Sequence, residues 1–274
     1  MTTPLDNDQS ARWNGTSGNA WVDLQDIVTR VLRPFEDILV TAARAVDAHT
    51  VLDVGCGTGS TTFAVARALN ARCTGIDISE PMITAALADP EIDSLPVSFI
   101  EADAQTYPFA ATHDLIVSRF GVMFFPDPVA AFINLRRAAR PGGTLACIVW
   151  RTPEENPFFT AAERAAAPLL DLPARIPDTP GQFGLANPGH TTAILSESGW
   201  TDVALTPIDV ECVMPEADLT PYISRLGPVG LALAAAGSPT RTKVIETILP
   251  AFTPYFRDAE AVFTAACWLV TARA

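Results

Sequence analysis

The chain has 274 residues, 49% of them hydrophobic, and a formal net charge of −13. That size and composition suit one large domain, or a domain with a substantial insertion, and leave ample material for a core. The acidic balance disfavours a nucleic-acid partner, which needs clustered Lys and Arg, and docking on an anionic membrane surface.

Five cysteines, Cys56, Cys73, Cys147, Cys212 and Cys267, are scattered without any C-x-x-C spacing, so no zinc site or redox pair is expected. No carboxylate cluster with octahedral spacing stands out, and no metal is expected. Residues 1–10 are polar and acidic, unlike a secretory signal. The apolar stretches at 229–236 and 262–270 are too short to span a bilayer. A reduced, cytoplasmic protein is the consistent expectation.

In chain order, residues 1–20 carry Gly, Asn, Ser and Thr and are expected to be loosely structured. From 21 to 46, Val22, Ile27, Val31, Phe35, Ile38, Leu39 and Ala42 recur at helical spacing, and Pro34 is expected to split the segment into two helices. A strand at 50–54 leads through Gly55, Gly57 and Gly59 into a helix at 60–70. A second strand follows at 73–77, after which Ser79 is placed to cap a helix whose first turn carries Glu80 and Pro81. Strands at 97–102 and 113–118 come next, then a helix at 128–140 stopped by Pro141-Gly142-Gly143, then a strand at 143–150. Continuous apolar strands alternating with helices imply a parallel sheet covered on both faces. Prolines crowd the segment 151–190, which reads as an insertion with one helix near 157–170. Asn187 caps a helix running from Pro188 to Gly199. A strand at 201–213, a helical stretch at 214–257 and a last strand at 261–272 complete seven strands.

Residues 51–59, Val-Leu-Asp-Val-Gly-Cys-Gly-Thr-Gly, join a strand to a helix N-terminus through a glycine turn, the layout of a nucleotide-type cofactor cradle. A dinucleotide fingerprint G-x-G-x-x-G needs glycine where Ser60 stands. Instead the run resembles motif I of class I S-adenosylmethionine-dependent methyltransferases, and four further segments continue the resemblance. Gly75-Ile76-Asp77-Ile78-Ser79 is similar to motif II and Glu101-Ala102-Asp103-Ala104 to motif III. His113-Asp114-Leu115-Ile116-Val117-Ser118 is similar to motif IV, although its first position is usually aromatic. Arg140-Pro141-Gly142-Gly143-Thr144-Leu145 is similar to the turn into the fifth strand. Within the superfamily the chain looks most like the bacterial ubiquinone/menaquinone-biosynthesis branch. Ser118-Arg119-Phe120-Gly121 stands where those enzymes resemble an Arg-Asn pair, so quinone methylation is not carried over.

The resemblance implies a Rossmann-like α/β fold, a seven-stranded, mostly parallel sheet of order 3-2-1-4-5-7-6 with strand seven antiparallel. It also implies S-adenosyl-L-methionine as cofactor, S-adenosyl-L-homocysteine as product, and a site above the carboxyl ends of the strands. Residues 1–46 are expected to form an arm and helices covering the cofactor and 47–150 the cofactor-binding core. Segments 151–190 and 214–257 are expected to be lid insertions, with 191–213 and 258–274 completing the sheet.

Carried over residue by residue, Asp77 holds ribose hydroxyls and Asp103, beside Ala104, accepts from the adenine amino group. Asp53, Gly55, Cys56, Gly57 and Gly59 form the turn, and Ile78 and Met82 pack on the adenine. Ser118, Arg119 and Phe120 stand where the methyl group is presented. Arg119 could equally close a structural ion pair. Trp21 is expected over the cofactor and Trp13, Met123 and Phe124 beside the acceptor. The expected partner is a small, hydrophobic acceptor, and a homodimer is compatible with the sequence.

No residue is assigned as catalytic. His49 and His113 lie at the amino ends of strands, His190 lies in the first turn of a helix, and Tyr107, Tyr222 and Tyr255 are undistinguished. Two alternatives stay open, an NAD(P)-dependent oxidoreductase and an S-adenosylmethionine-binding protein without catalysis. The first lacks a Tyr-x-x-x-Lys pair, since Lys243 is the single lysine.

Overall fold

The structure is a computed structural model and describes residues 9–274. Two short helices, α1 (Gln9–Asn14) and α2 (Thr16–Asp23), precede a long one, α3 (Gln25–Ala45). The alternation then runs β1 (Thr50–Val54), α4 (Ser60–Leu69), β2 (Arg72–Asp77), α5 (Glu80–Leu87), β3 (Val97–Glu101), β4 (His113–Arg119), α6 (Pro128–Ala138) and β5 (Ala139–Trp150). Helix α7 (Pro157–Ala166) lies in the first insertion and is followed by α8 (Pro188–Glu197) and β6 (Thr201–Pro215). The second insertion holds α9 (Glu216–Arg225), α10 (Gly227–Ala235), α11 (Ser238–Ile248), a 3₁₀ segment (Leu249–Tyr255) and the short β7 (Phe256–Arg257). Strand β8 (Glu260–Arg273) ends the chain.

The strands form one sheet in the order β3-β2-β1-β4-β5-β8-β6, with β7 paired to β8. Strands β1 to β5 are parallel, and β8 runs antiparallel to both β5 and β6. This is the expected order once the two-residue β7, too short to carry a period, is set aside. Parallel pairing stacks the carboxyl ends of β1, β2, β3 and β4 along one edge, so Gly55, Asp77, Asp103 and Phe120 leave the sheet together. The core lies on both faces, with Leu52, Ile76, Leu115, Ile116, Leu145 and Ile148 wholly buried.

Three local expectations are corrected. The arm at 9–23 is helical rather than loose, while residues 1–8 lie outside the described residues. Pro34 does not split the helix, because α3 runs through it with Val28, Val31, Leu32, Phe35, Leu39, Val40 and Ala43 buried on one face. Proline inside a helix costs about 3 kcal/mol, whereas each large apolar side chain buried contributes about 1.5–3 kcal/mol, so packing wins. Ser79 stands at the N-cap of α5 but its hydroxyl does not cap it; it donates to the Trp13 carbonyl at 2.7 Å. Asn187 caps α8 as expected, accepting from the amides of Gly189 and His190.

The insertions are tied to the sheet by specific groups. Asn156, wholly buried, donates to the Ala266 carbonyl and accepts from the Ala266 amide, both at 2.9 Å. It thereby pairs with β8 as a strand residue would. Phe158 in α7 stacks face to face on Phe263 of β8 with ring centroids 3.5 Å apart. Helix α7 then packs against α10 and α11, and α10 reaches α2.

Candidate functional site

The carboxyl edge of the sheet is the floor of a cavity of about 1560 Å³, walled by the arm, the two insertions and the turn after β4. Its geometry begins at the glycine turn. Gly55 takes φ +67°, and a Cβ there would stand 2.6 Å from the Gly121 Cα. That distance is shorter than any carbon contact tolerates, so two glycine backbones, one after β1 and one after β4, meet without side chains between them. At Gly57 a Cβ would find only the Met82 sulfur, at 3.6 Å. The backbone therefore faces open space here, as a cradle for a ligand requires.

Asp77, at the end of β2, joins this turn to the next helix. Its Oδ2 accepts from the Gly57 amide at 2.8 Å and its Oδ1 from the Ser79 amide at 3.0 Å. Desolvation raises its pKa, opposed by those amides and that of Ile78. Each carboxylate oxygen keeps a lone pair for a further donor. Asp103 follows β3 and accepts from the Gln105 amide at 2.8 Å through Oδ1.

Of the residues singled out by sequence, Gly55, Cys56, Gly57, Asp77, Ile78, Met82, Asp103, Ala104, Arg119, Phe120 and Trp21 line this one cavity, as do Trp13, Met123 and Phe124. Asp53, Gly59 and Ser118 do not. The Asp53 side chain is buried beneath α4 and accepts from the Thr62 hydroxyl at 2.7 Å. A Cβ on Gly59 would strike the Phe99 ring at 2.7 Å, so that glycine serves packing behind the turn. Ser118 is wholly buried, donating to the Val54 carbonyl and accepting from the Gly121 and Val122 amides. These three support the turn from below.

Arg119 lines the cavity but is committed elsewhere. It donates to Glu36 at 2.9 Å, to the Ser60 hydroxyl at 2.6 Å and to the Leu32 carbonyl at 3.4 Å. With both partners of the ion pair about seven-eighths buried, it fixes α3 and α4 to the end of β4. Phe120 adopts φ +65°, a costly conformation for a bulky residue. Stacking on Trp150, centroids 4.4 Å apart, and an edge contact with Phe35 at 5.0 Å hold it there.

The arm closes the other side. Trp13 meets Phe124 edge-on at 5.3 Å and Trp21 at 6.2 Å. Asn14 accepts from the Glu80 amide at 2.7 Å and donates to the Ile78 carbonyl at 3.1 Å, so a side chain from α1 caps α5 in place of Ser79. Neither Asn14, which bonds to Ile78 and Glu80, nor Ser79, which bonds to Trp13, carries a spacing signal that would have revealed contacts 64 to 66 positions apart. Tyr222 is the cavity-lining tyrosine; burial pushes its hydroxyl pKa well above the usual range. None of the three histidines lines the cavity, and no group of metal-ligating side chains occurs among the described residues. No helix among them is long and apolar enough to cross a membrane. All five cysteines are free and buried.

Comparison with known proteins gives the following. Residues 51–143 match the family model described as a methyltransferase domain. An uncharacterised protein of Mycobacterium tuberculosis H37Rv is 34% identical over 151 residues, 55% of each chain. The malonyl-[acyl-carrier protein] O-methyltransferase of Hahella chejuensis is 33% identical over 124 residues, 44% of each. The chain thus spans about half the length of the curated relatives it matches. Among solved structures, human N-acetylserotonin methyltransferase in complex with SAM shares the fold, with a TM-score of 0.54 at 16% identity over 74% of this chain and 56% of that one.

The site fits an S-adenosyl group on its own features. The space over Gly57 admits a ligand at the backbone, and Asp77 has acceptor capacity left at the strand end. Asp103 stands at the neighbouring strand end, and apolar Ile78 and Met82 line the same cavity.

Proposed function

We propose that this chain, whose residues 51–143 carry a methyltransferase domain of the class I S-adenosylmethionine-dependent kind, transfers a methyl group to a small apolar acceptor bound beneath its insertions. The observation that carries this reading is Asp77, whose carboxylate ties the Gly57 and Ser79 amides at the wall of a cavity roomy enough for two molecules. Bound there, the cofactor supplies an electrophilic methyl group on a sulfonium.

The residues of the chain do the rest. Asp77 receives the ribose hydroxyls, Asp103 the adenine amino group, and the Gly55–Gly57 backbone approaches without obstruction. Ile78 and Met82 flank the base. Phe120, fixed by Trp150 and Phe35, and Met123 and Phe124 form an apolar wall that excludes water where the acceptor meets the methyl group; in-line displacement needs mainly positioning and dryness. Tyr222 lines the cavity and holds its proton at neutral pH, so its hydroxyl is available there as a hydrogen-bond donor. Helices α7, α9 and α10 form the lid, with α11 packed against α7, and α1 and α2 close over the cofactor.

Replacing Asp77 with Asn tests the assignment. A hydrogen bond to a charged group contributes about 1.5–3 kcal/mol, so calorimetric titration of D77N with S-adenosylhomocysteine is expected to show affinity reduced roughly ten- to hundredfold. Unchanged affinity in a folded D77N protein would remove Asp77 from the site.

A further inference from the structure

Each of the five tryptophans carries an indole N–H, a group that donates a hydrogen bond and accepts none. Three of them are matched within the chain. Trp200 donates to the Phe132 carbonyl and Trp268 to the Ala186 carbonyl, both at 2.9 Å, and Trp13 donates to Gln9 at 3.1 Å. Trp21 has no such partner among the described residues, but it is only partly buried and water reaches it. Trp150 is the exception. It is 5% exposed, and its indole nitrogen has no hydrogen-bond partner among the described residues.

That nitrogen is not sealed in. Among the described residues, the wholly enclosed side-chain polar atoms without a partner are the Asp53 Oδ1 and the Thr61 hydroxyl. The Trp150 nitrogen is not one of them, so the sliver of ring left open includes the N–H, and the residue lines the cavity. A buried donor left unmade bears the full loss of its hydration. Phenylalanine would fill the same space without that cost, so the donor serves whatever enters the cavity.

The ring also points in one fixed direction. Phe120 stacks on it with planes 10° apart and centroids at 4.4 Å, Phe159 meets it tilted at 4.4 Å, and Phe35 meets it edge-on at 6.3 Å. Trp150 is the last residue of β5, and the sheet order places β1 and β4 between it and β2. Three strand spacings of about 4.8 Å each put the end of β5 about 14 Å from the Asp77 end of β2. The donor therefore faces the part of the cavity beyond Phe120, away from the wall at Asp77.

From this donor we infer that Trp150 holds the acceptor through a hydrogen bond from its indole N–H, and that the acceptor is an apolar molecule presenting a hydrogen-bond-accepting oxygen to the end of β5. This rests on the cavity being the acceptor site of the proposed methyltransferase. Phe158, Phe159 and Phe252 line the same cavity and match the apolar remainder of the molecule. Tyr222 also lines it, but a hydroxyl rotates and either donates or accepts. Trp150 can only donate, and so it sets the polarity of the group it meets.

Two probes of one shape test the inference. 2-Acetylnaphthalene carries a carbonyl oxygen, and 2-isopropenylnaphthalene has a CH₂ in its place. The full-length protein is titrated with each by calorimetry, with and without S-adenosylhomocysteine. The ketone is expected to bind about fivefold to tenfold more tightly, the effect of one hydrogen bond. In a proton–nitrogen correlation spectrum, the Trp150 indole resonance is identified by its nuclear Overhauser contacts with the Phe120 and Phe159 rings. It is expected to move downfield further with the ketone than with the alkene. Trp150→Phe keeps an aromatic ring on Phe120 and removes the donor, and is expected to bring the two affinities within about twofold of each other.

Equal affinities in the unaltered protein, a ketone that does not bind, or an indole resonance that answers both probes alike would overturn the inference without any variant. A folded Trp150→Phe protein that still prefers the ketone would overturn it as well. A protein that shows the ketone preference but does not bind S-adenosylhomocysteine would leave the role of Trp150 standing and contradict the cofactor assignment instead.

Discussion

Asp53 carries a carboxylate into an apolar layer. Its Oδ1 has no hydrogen-bond partner, and burial pushes its pKa up to about 6, only partly opposed by the Thr62 hydroxyl and the Arg119 charge. Since an unfolded aspartate titrates near 4, the folded protein holds one more proton between these values. Stability from this group therefore falls as pH rises from about 4 to about 6, by about 3 kcal/mol in total. Urea unfolding of Asp53→Asn, which cannot ionise, is expected to lack this component. Relative to the unaltered protein it should gain stability between pH 4 and pH 7. Parallel pH profiles for the two proteins would show that Asp53 is not buried as a carboxylate. Sequence placed Asp53 in the glycine motif because of its spacing, but spacing does not say which side of the strand end the carboxylate occupies. The same limit applies to Gly59 and Ser118, both turned toward packing rather than the cavity.

Among the elements, the arm departs furthest from its sequence. Its Gly, Asn, Ser and Thr residues suggest a loose segment, and in isolation two helices of six and eight residues would be marginal. They are held by contacts distant in sequence: Asn14 to Ile78 and Glu80, Ser79 to Trp13, and α2 against α5. Gly18 permits this approach, for a Cβ there would lie 2.9 Å from the Ser79 hydroxyl. Because Ser79 also donates its amide to Asp77, packing of the arm and shaping of the cavity wall at Asp77 are joined in one short chain of hydrogen bonds. Asn14→Ala removes the cap of α5, a loss of about 1 kcal/mol. Hydrogen exchange is expected to quicken across residues 9–23 while the strands β1 to β5 keep their protection, and S-adenosylhomocysteine affinity is expected to fall severalfold. Unaltered exchange in the arm would show that Asn14 does not hold it. Pro34 teaches the complementary lesson, since a strong local breaker was overruled by a seven-residue buried face whose helical spacing was legible in the sequence but whose burial was not.

At the scale of the molecule, the alternation of strands and helices and the motif at each strand end made the sheet and the glycine-turn side of the cavity legible. Those signals are local, with period, glycine spacing and an acid at a strand terminus all falling within a few residues. The side of the cavity facing the insertions was not legible in the same way. It is assembled from α2, α7, α10 and the turn after β4, segments far apart in the chain, and anchored by residues such as Asn156 whose partner Ala266 lies 110 positions away.

The central claim is that the glycine turn, Asp77 and Asp103 form an S-adenosyl site rather than a dinucleotide site, as Ser60 in place of a third dinucleotide glycine suggests. Calorimetric titration of the unaltered protein with S-adenosylhomocysteine and, separately, with NADH tests it most directly. The account predicts one saturable site for S-adenosylhomocysteine, with NADH at least a hundredfold weaker. NADH binding tightly with no heat from S-adenosylhomocysteine would contradict it.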